Sequence, residues 1–462
     1  MPVASTFTAN ERGYTSVDSI DPKTISERER ARIERLFVTS VGDNGQLLVK
    51  ARSTHIVGRV QVGNATLIAP PPFSSASFAT LLCYSQNISF MKHILDRSSI
   101  ISVAHASETD PFTTMVAYLT VNIAKTVLGR HVAKIYVPIT ERLHLLRGRI
   151  LWNHNIGKHH SAGMTCKHYL LDTDNSLNRV VFEGLDLCRR ILKNTAWESE
   201  AKKQVFIWRD LVTQRIRSFD EIDRAVLAID RQTEHYRPLI ALCRSLLLGS
   251  SPDDVFSGKD SPLQSMVFDL AILFEQFVTR LVTELATSLG FEVRAQLTDS
   301  RAFTDGANET YRSVRPDLLL LDNGIPIAVL DAKYKPRYVN LDESGYVAPA
   351  QRITNADLYQ MLFYQSHLLA RYQLQFPPQA IIVSPTISKE SFPPALRFQS
   401  IRWSDVDPAA TRGLSVRLFA LDLPELLNVG IEDIRTISRS PAAQPLRNLI
   451  ASLRPTAGVL HG

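Results

Sequence analysis

The sequence predicts a mixed α/β (α+β) chain in two parts, and three observations predict it. Amphipathic helical stretches alternate with short apolar runs bounded by turn residues. Midway, the polar, turn-forming segment Gly249–Pro262 (GSSPDDVFSGKDSP) interrupts every apolar period. Beyond it the order becomes helix, three strands, helix, strand, which is the order of a compact α/β domain.

Taken in order, residues 1–22 are Ser/Thr-rich without an apolar period and are expected to be a flexible N-terminal arm. An N-terminal mixed α/β domain is expected over 23–249. It opens with a charged helix (Pro22–Phe37), followed by strands through Val38–Pro72 broken at Asp43-Asn44-Gly45 and Gly63-Asn64. Helices follow near Ser77–Leu95 and Pro111–Leu128, then strands at Ala133–Val137 and Arg142–Trp152, then a helix over Ser176–Leu192 and more helices between Glu198 and Leu248. A linker is expected at 250–262 and a C-terminal domain over 263–425. Its elements are a helix Leu263–Leu289, strands at Phe291–Leu297, Val314–Leu321 and Ile325–Lys335, a helix Ala356–Tyr372, and strands near Ala380–Ser384 and Leu396–Trp403. Residues 426–462 are read as a C-terminal extension.

Composition narrows the function classes. The chain has 462 residues, 45% hydrophobic and 21% charged, an ordinary globular balance, and a net charge of +6 that is mild at this length. No apolar run approaches the roughly 20 residues that span a bilayer, so no membrane insertion is expected. Met1–Asn10 lacks a basic segment followed by an apolar one, so no secretory signal is expected. Cys83, Cys166, Cys188 and Cys243 are widely spaced, which suits a reducing cytoplasm and argues against a disulfide framework. There is no G-x-x-x-x-G-K-[ST] phosphate loop and no G-x-S-x-G nucleophile elbow.

The chemistry concentrates in one hairpin. Arg315-Pro316-Asp317 opens the run Leu318–Leu321, Asp322-Asn323-Gly324 is a strong turn, and the return strand Ile325–Leu330 ends in Asp331-Ala332-Lys333. Folding about Asn323-Gly324 brings Asp317 close to the position opposite Asp331. Strand period two places Asp331 and Lys333 on one face, with Lys335 next along it. Two carboxylates and an ammonium at one hairpin mouth suit phosphodiester hydrolysis with Mg²⁺, or Mn²⁺ in its place, because such an ion takes one or two protein carboxylates and leaves room for water and phosphate. Asp317 and Asp331 are the expected metal ligands, with the Ala332 carbonyl as a third. Lys333 is expected to orient the attacking water and stabilise charge. On the next helix, Gln360 and Tyr364 lie at i, i+4 and share a face with Asp357; they are expected to orient the lysine or hold a phosphate. Glu275, in the apolar stretch Leu273–Val278, is either a third metal-site carboxylate or the polar side of its helix.

These residues together resemble the PD-(D/E)xK nuclease superfamily. Arg315-Pro316-Asp317, Leu330-Asp331-Ala332-Lys333-Tyr334-Lys335 and Asp357–Tyr364 are most similar to the McrC family, the nuclease subunit of McrBC modification-dependent restriction systems. The N-terminal half is similar as well, in Gly58-Arg59-Val60-Gln61-Val62-Gly63, Leu146-Arg147-Gly148-Arg149-Ile150 and Asp174-x-x-x-Asn178-Arg179. The likeness runs from about residue 55 to 425, with one departure at Pro70-Pro71-Pro72-Phe73, where the family tends to Pro-Lys. It implies a C-terminal restriction-endonuclease-like domain and an N-terminal domain that binds a hexameric McrB-like AAA+ GTPase and stimulates its GTP hydrolysis. It also implies modified duplex DNA as the substrate. Rival readings are a stand-alone repair or structure-specific nuclease and a non-catalytic activator of a GTPase.

Charge is uneven in the N-terminal half: residues 121–170 hold eight Lys/Arg against the single acid Glu141. Arg147 and Arg149, two apart on an expected strand with Gly148 between them, are the expected partner contacts. His154, His159, His160, Cys166 and His168 lie in the same stretch, but their spacing fits no paired zinc motif.

Overall fold

Near the N-terminus, Leu47–Ala51 buries every second residue and pairs antiparallel on both sides, with Thr15–Val17 and with Phe37–Val41. The computed structural model describes residues 5–9, 13–17, 19–53, 55–86, 111–157, 163–256, 265–304, 310–338, 353–386, 398–402 and 414–454. The helix Glu27–Leu36 turns Ile33 and Leu36 inward and starts on a capping box: Ser26 accepts from the Glu29 N–H, and the Glu29 carboxylate accepts from the Ser26 N–H. A second sheet runs in the order Ser5–Thr8, Ala65–Ala69, Ile56–Val62, Ser265–Asp269. The flexible arm expected over 1–22 is thereby corrected. Its described residues supply an edge strand to each sheet, and Ala9, Val17 and Ile20 are buried. Ala65–Ala69 buries all five of its residues, so its outer edge needs a partner for its peptide groups, and Ser5–Thr8 lies parallel along it.

The expected linker is corrected for the same kind of reason. Ser265–Asp269 pairs antiparallel with Ile56–Val62, so the helix expected from Leu263 begins only at Leu270, capped by Asp269. Gly58 makes that pairing possible: its φ is +148°, and a Cβ there would collide with the Met266 carbonyl. Pro252–Phe256 is a short helix, and Ser250, Ser251 and Asp254 are buried. Asp254 Oδ2 accepts from the Ser251 hydroxyl at 2.9 Å and the Ser265 N–H at 3.2 Å, so these polar residues satisfy one another inside the protein. Residues 257–262 of that segment lie outside the described residues.

One apolar core consequently extends from Val57 to Leu453. The helices Ser75–Ser85, Pro111–Arg130, Ser176–Ile191 and Arg237–Gly249 build its first half, and Leu270–Ser288 carries it into the second. Tyr84 donates to Glu284 at 3.0 Å, and Arg280 donates to the Tyr84 carbonyl at 2.9 Å across the junction. The segment 426–462 is no appendage over its described part. The helix Leu423–Glu432 packs on Ser75–Ser85, and Gln444–Ala451 packs on Leu270–Ser288.

Among the described residues, a six-stranded sheet runs in the order Glu292–Ala295, Leu318–Asp322, Ile325–Ala332, Gln379–Thr386, Ser415–Asp422, Phe398–Arg402. Leu318 and Leu320 join the large core with Leu270–Ser288. Leu319 and Leu321 join a second cluster with Met361, Tyr364 and Leu368 of the helix Asn355–Arg371. The sheet is therefore buried on both faces, which is why these strands read as continuous apolar runs. A separate sheet, Ile135–Leu143, Met164–Asp172 and Arg149–Ile150, adds no side chain to the apolar clusters formed among the described residues. Asn178 clamps both of its roots, its amide donating to the Ala133 carbonyl at 2.9 Å and the Thr173 carbonyl at 2.6 Å. Tyr236 Oη locks Asn178 in turn, donating to its Oδ1 at 2.9 Å.

Candidate active site

The turn at Asn323 (φ +51°) and Gly324 (φ +80°) joins Leu318–Asp322 to Ile325–Ala332 in the tight hairpin that its sequence demands. Leu318 faces Leu330 in register, so Asp317 and Asp331 stand opposite each other one step further on, at the hairpin mouth. Asp317 is half-buried. Its Oδ2 accepts the Ala332 N–H at 2.9 Å, and its carbonyl accepts the Gln296 N–H at 2.8 Å. Asp331 is 1% exposed. Lys333 Nζ stands 2.7 Å from Asp331 Oδ2, yet neither carboxylate oxygen receives a well-directed hydrogen bond. The lysine's backbone is fixed on the next strand: its N–H donates to Val383 at 2.9 Å, and Ser384 Oγ donates to its carbonyl at 2.7 Å.

Burial and like charge set the electrostatics. Asp317 is pushed up to about 7, first by burial and then by Asp331 and Glu275, against the Ala332 N–H and Lys333. Burial works against the Lys333 charge, but Asp331 and Asp317 outweigh it and hold the ammonium above its ordinary value. The cluster thus concentrates acceptors with one cation among them.

Other expected residues arrange themselves differently. Gln360 Nε2 donates to Tyr364 Oη at 2.8 Å, and Tyr364 Oη donates to the Arg315 carbonyl at 3.1 Å. The pair therefore braces the segment leading into Asp317, whereas the roles expected for it were to orient the lysine or hold a phosphate. Lys335 turns away to Asp357, 2.5 Å from its Oδ2, where Tyr338 also donates. Glu275 faces the site from the helix Leu270–Ser288, close enough to raise Asp317, while Gln296 Nε2 donates to its Oε1 at 2.9 Å. Gln296 was not legible in the sequence. It adopts φ +48°, joins Glu275 to the Arg315 guanidinium, and ties its own N–H to Asp317. Among the described residues no three of His, Cys, Asp or Glu converge as a ready metal cage. His159 and His160 lie outside the described residues.

Arg147 and Arg149 are both exposed, but not on one continuous strand as expected. Ile135–Leu143 ends first, a loop carries Arg147, and only Arg149–Ile150 resumes pairing, against Lys167 and Cys166. Gly148 causes the break: its φ is +70°, and a Cβ there would meet the Lys167 carbonyl. The sheet and its connections also expose the large side chains Tyr136, Leu145 (87%), Trp152, Ile156 and Tyr169.

Comparison with known proteins places this architecture. A family profile described as "McrBC 5-methylcytosine restriction system component" matches residues 51–375, a span that includes both the Arg147–Arg149 loop and the Asp317–Asp331–Lys333 hairpin. The chain belongs to that family. Among solved structures, it is similar to a chain of the Thermococcus gammatolerans assembly described as a half-complex of McrB AAA+ hexamers with bound McrC. That likeness has a TM-score of 0.53 and 14% identity, covering 97% of this chain and 100% of the other, and it establishes a shared fold. A cryo-EM structure of the Thermococcus gammatolerans McrBC complex matches at 18% identity and a TM-score of 0.41, over 61% of this chain and 88% of that one. No curated protein sequence matches significantly. Among the described residues of this McrBC-family chain, no helix is long and apolar enough to cross a membrane.

Proposed function

We propose that the chain is the nuclease subunit of an McrBC-type restriction system in the cytoplasm. In this reading it hydrolyses phosphodiesters of modified duplex DNA when assembled with an McrB-like AAA+ GTPase hexamer whose GTP hydrolysis it stimulates. The observation that carries the reading is Asp331. A fully buried carboxylate whose two oxygens lack well-directed donors, facing a second carboxylate, is costly unless something else satisfies it. An oxygen-seeking divalent cation fits that donor set. Asp317 and Asp331 would hold Mg²⁺, or Mn²⁺ in its place, with the Ala332 carbonyl and Glu275 as the further candidates. Bound there, the ion would supply an activated water and offset charge on the scissile phosphate.

The chain's own groups do the rest. Lys333, kept charged by its two acidic neighbours, stabilises the negative charge that develops on the phosphate oxygens. Gln360 and Tyr364 hold the Arg315–Asp317 segment, and Gln296 holds Asp317 from the other side. Asp317 retains its proton to near neutrality, so cation loading must displace a proton and strengthens with pH. The exposed sheet around Arg147 and Arg149 is the docking surface for the ring, with DNA reached elsewhere. A membership in the McrBC family and a fold shared with a chain from an McrB–McrC assembly support this division of labour.

The test is reconstitution. The chain, an AAA+ partner, GTP and Mg²⁺ should together cut modified duplex DNA, while Lys333→Ala should leave DNA intact and still stimulate GTP hydrolysis. Full cleavage by Lys333→Ala would remove the mechanism.

A further inference from the structure

A cavity of about 1020 Å³ lies between the two halves of the molecule. One wall is the helix Arg237–Gly249 of the N-terminal half, and the other is the first turns of Leu270–Ser288, carrying Ile272 and Gln276. Four arginines line it: Arg35, Arg237, Arg244 and Arg315. Its acids are Asp223 and Asp269. Asp269 is committed to capping Leu270–Ser288, donated to by the Ala271 N–H. A second cavity of about 410 Å³ shares Gln86 and Arg237 with the first and adds Arg130 and Arg231, with Glu234 as its acid.

The far end of this cleft fixes its meaning. Gln296 and Arg315 line it, and these residues also touch the hairpin mouth: Gln296 N–H holds Asp317, and Gln296 Nε2 holds Glu275. A phosphate chain lying in the cleft would therefore run out onto the carboxylates.

We infer that this inter-lobe cleft is the track along which the DNA backbone reaches Asp317 and Asp331, an inference that rests on the nuclease reading above. The two halves share one core and one sheet, so their arginines keep a fixed spacing from the site. Arg237 pairs with Glu234 and Arg244 with Asp223, but both are exposed pairs, which contribute little and exchange readily for phosphate. Arg35 donates to the carbonyls of Leu248 and Ser250, both at 3.3 Å, and neutral acceptors of this kind leave its charge in place near the cleft. Every cation lining the two cavities, His235 aside, is an arginine, the side chain whose planar fork matches phosphate oxygens in pairs.

Arg231 and Arg244 are exposed and outside the reacting cluster, which makes them the test positions. Binding of the full chain, alone and assembled with its AAA+ partner, to a labelled duplex is followed by anisotropy in EDTA across a salt series. Each phosphate contact contributes roughly −0.9 to the log–log salt slope, so Arg231→Ala with Arg244→Ala should flatten it by about 1.8, and Arg→Lys at both should restore it. Cleavage with Mg²⁺ should fall in parallel at high salt and recover at low salt. An unchanged slope, with the double variant still binding and cutting as wild type does, overturns the cleft and leaves the nuclease assignment standing. Loss of partner assembly with DNA binding intact overturns it too, in favour of a protein interface. If wild type neither binds nor cuts DNA in any assembly, both readings fall.

Discussion

Two carboxylate–lysine pairs meet the same short stretch of chain, Asp331–Lys333 and Asp357–Lys335, with nearly equal contact distances of 2.7 and 2.5 Å. Their surroundings differ. The Asp357 carboxylate accepts from Lys335 and Tyr338, and although burial raises its pKa, these donors, with Thr354 nearby, bring it below the ordinary carboxylate value. Asp331 has only the lysine, with no well-directed donor on either oxygen, and faces a second carboxylate that is pushed up to about 7. Residue type and distance are the same, so they do not distinguish a structural ion pair from a reactive one. Satisfaction of the remaining lone pairs does: a complete donor set rigidifies, while an incomplete one leaves capacity for an external cation.

The comparison can be broken most directly by activity. Asp331→Ala or Lys333→Ala should lower DNA cleavage by the assembled complex at least about 10²–10³-fold, the usual consequence of removing a group that stabilises transition-state charge. Asp357→Asn should retain cleavage once corrected for folded fraction; an equal loss would erase the distinction between the pairs. Arg147→Glu with Arg149→Glu gives a loss of a different origin. GTP hydrolysis by the partner without DNA should drop to its unstimulated rate, and cleavage should vanish only as a consequence. Normal stimulation by that variant would move the docking surface elsewhere and make DNA the better occupant of the basic loop.

Metal response separates the pairs more finely. At a Mg²⁺ concentration a hundredfold above its Kd, wild type should gain about 2.7 kcal/mol of stability by mass action. Asp331→Asn should lose that gain while its metal-free melting temperature holds or rises, and Asp357→Asn should keep the gain. Calorimetric scans with the same Mg²⁺ shift in all three proteins would place the ion outside the hairpin.

The smallest effect is in pH, where the two sites have opposite signs. Asp317 is raised from 3.8 to about 7 in the folded protein, so the folded state holds a proton that the unfolded chain has released. Its favourable contribution is complete below pH 3.8 and is lost as pH rises through about 7. Asp357 is lowered, so its contribution is present above 3.8 and is lost as pH falls through its depressed folded value. Metal-free denaturation curves should therefore show Asp317→Asn flattening the pH 4–7 limb, and Asp357→Asn flattening only the acid limb below it. A steep pH 4–7 limb that survives Asp317→Asn would assign that titration to another group.

Much of this was legible in the residues. Asp322-Asn323-Gly324 between two apolar runs admits little besides a tight hairpin, and the hairpin register alone sets Asp317 against Asp331 and Lys333 beside it. Helices with clear starts, such as Ser176–Ile191 behind Asn175 and Asn355–Arg371 behind Thr354, fell within a residue of their expected limits. Local chemistry determines such features because turn dihedrals, caps and side-chain period act over a few residues. What only the tertiary structure decided was every pairing between distant segments. Ser5–Thr8 and Ser265–Asp269 carry too little local signal to announce a strand, and each is a strand because Ala65–Ala69 and Ile56–Val62 present edges that need partners. The same holds for Gln296, whose left-handed backbone and contacts to Glu275, Arg315 and Asp317 arise from three elements meeting, and for Gly148, which breaks a promising strand because the Lys167 carbonyl passes beneath it. Long-range hydrogen bonds and close approaches depend on which surfaces meet in three dimensions, and no periodicity within either segment records the other.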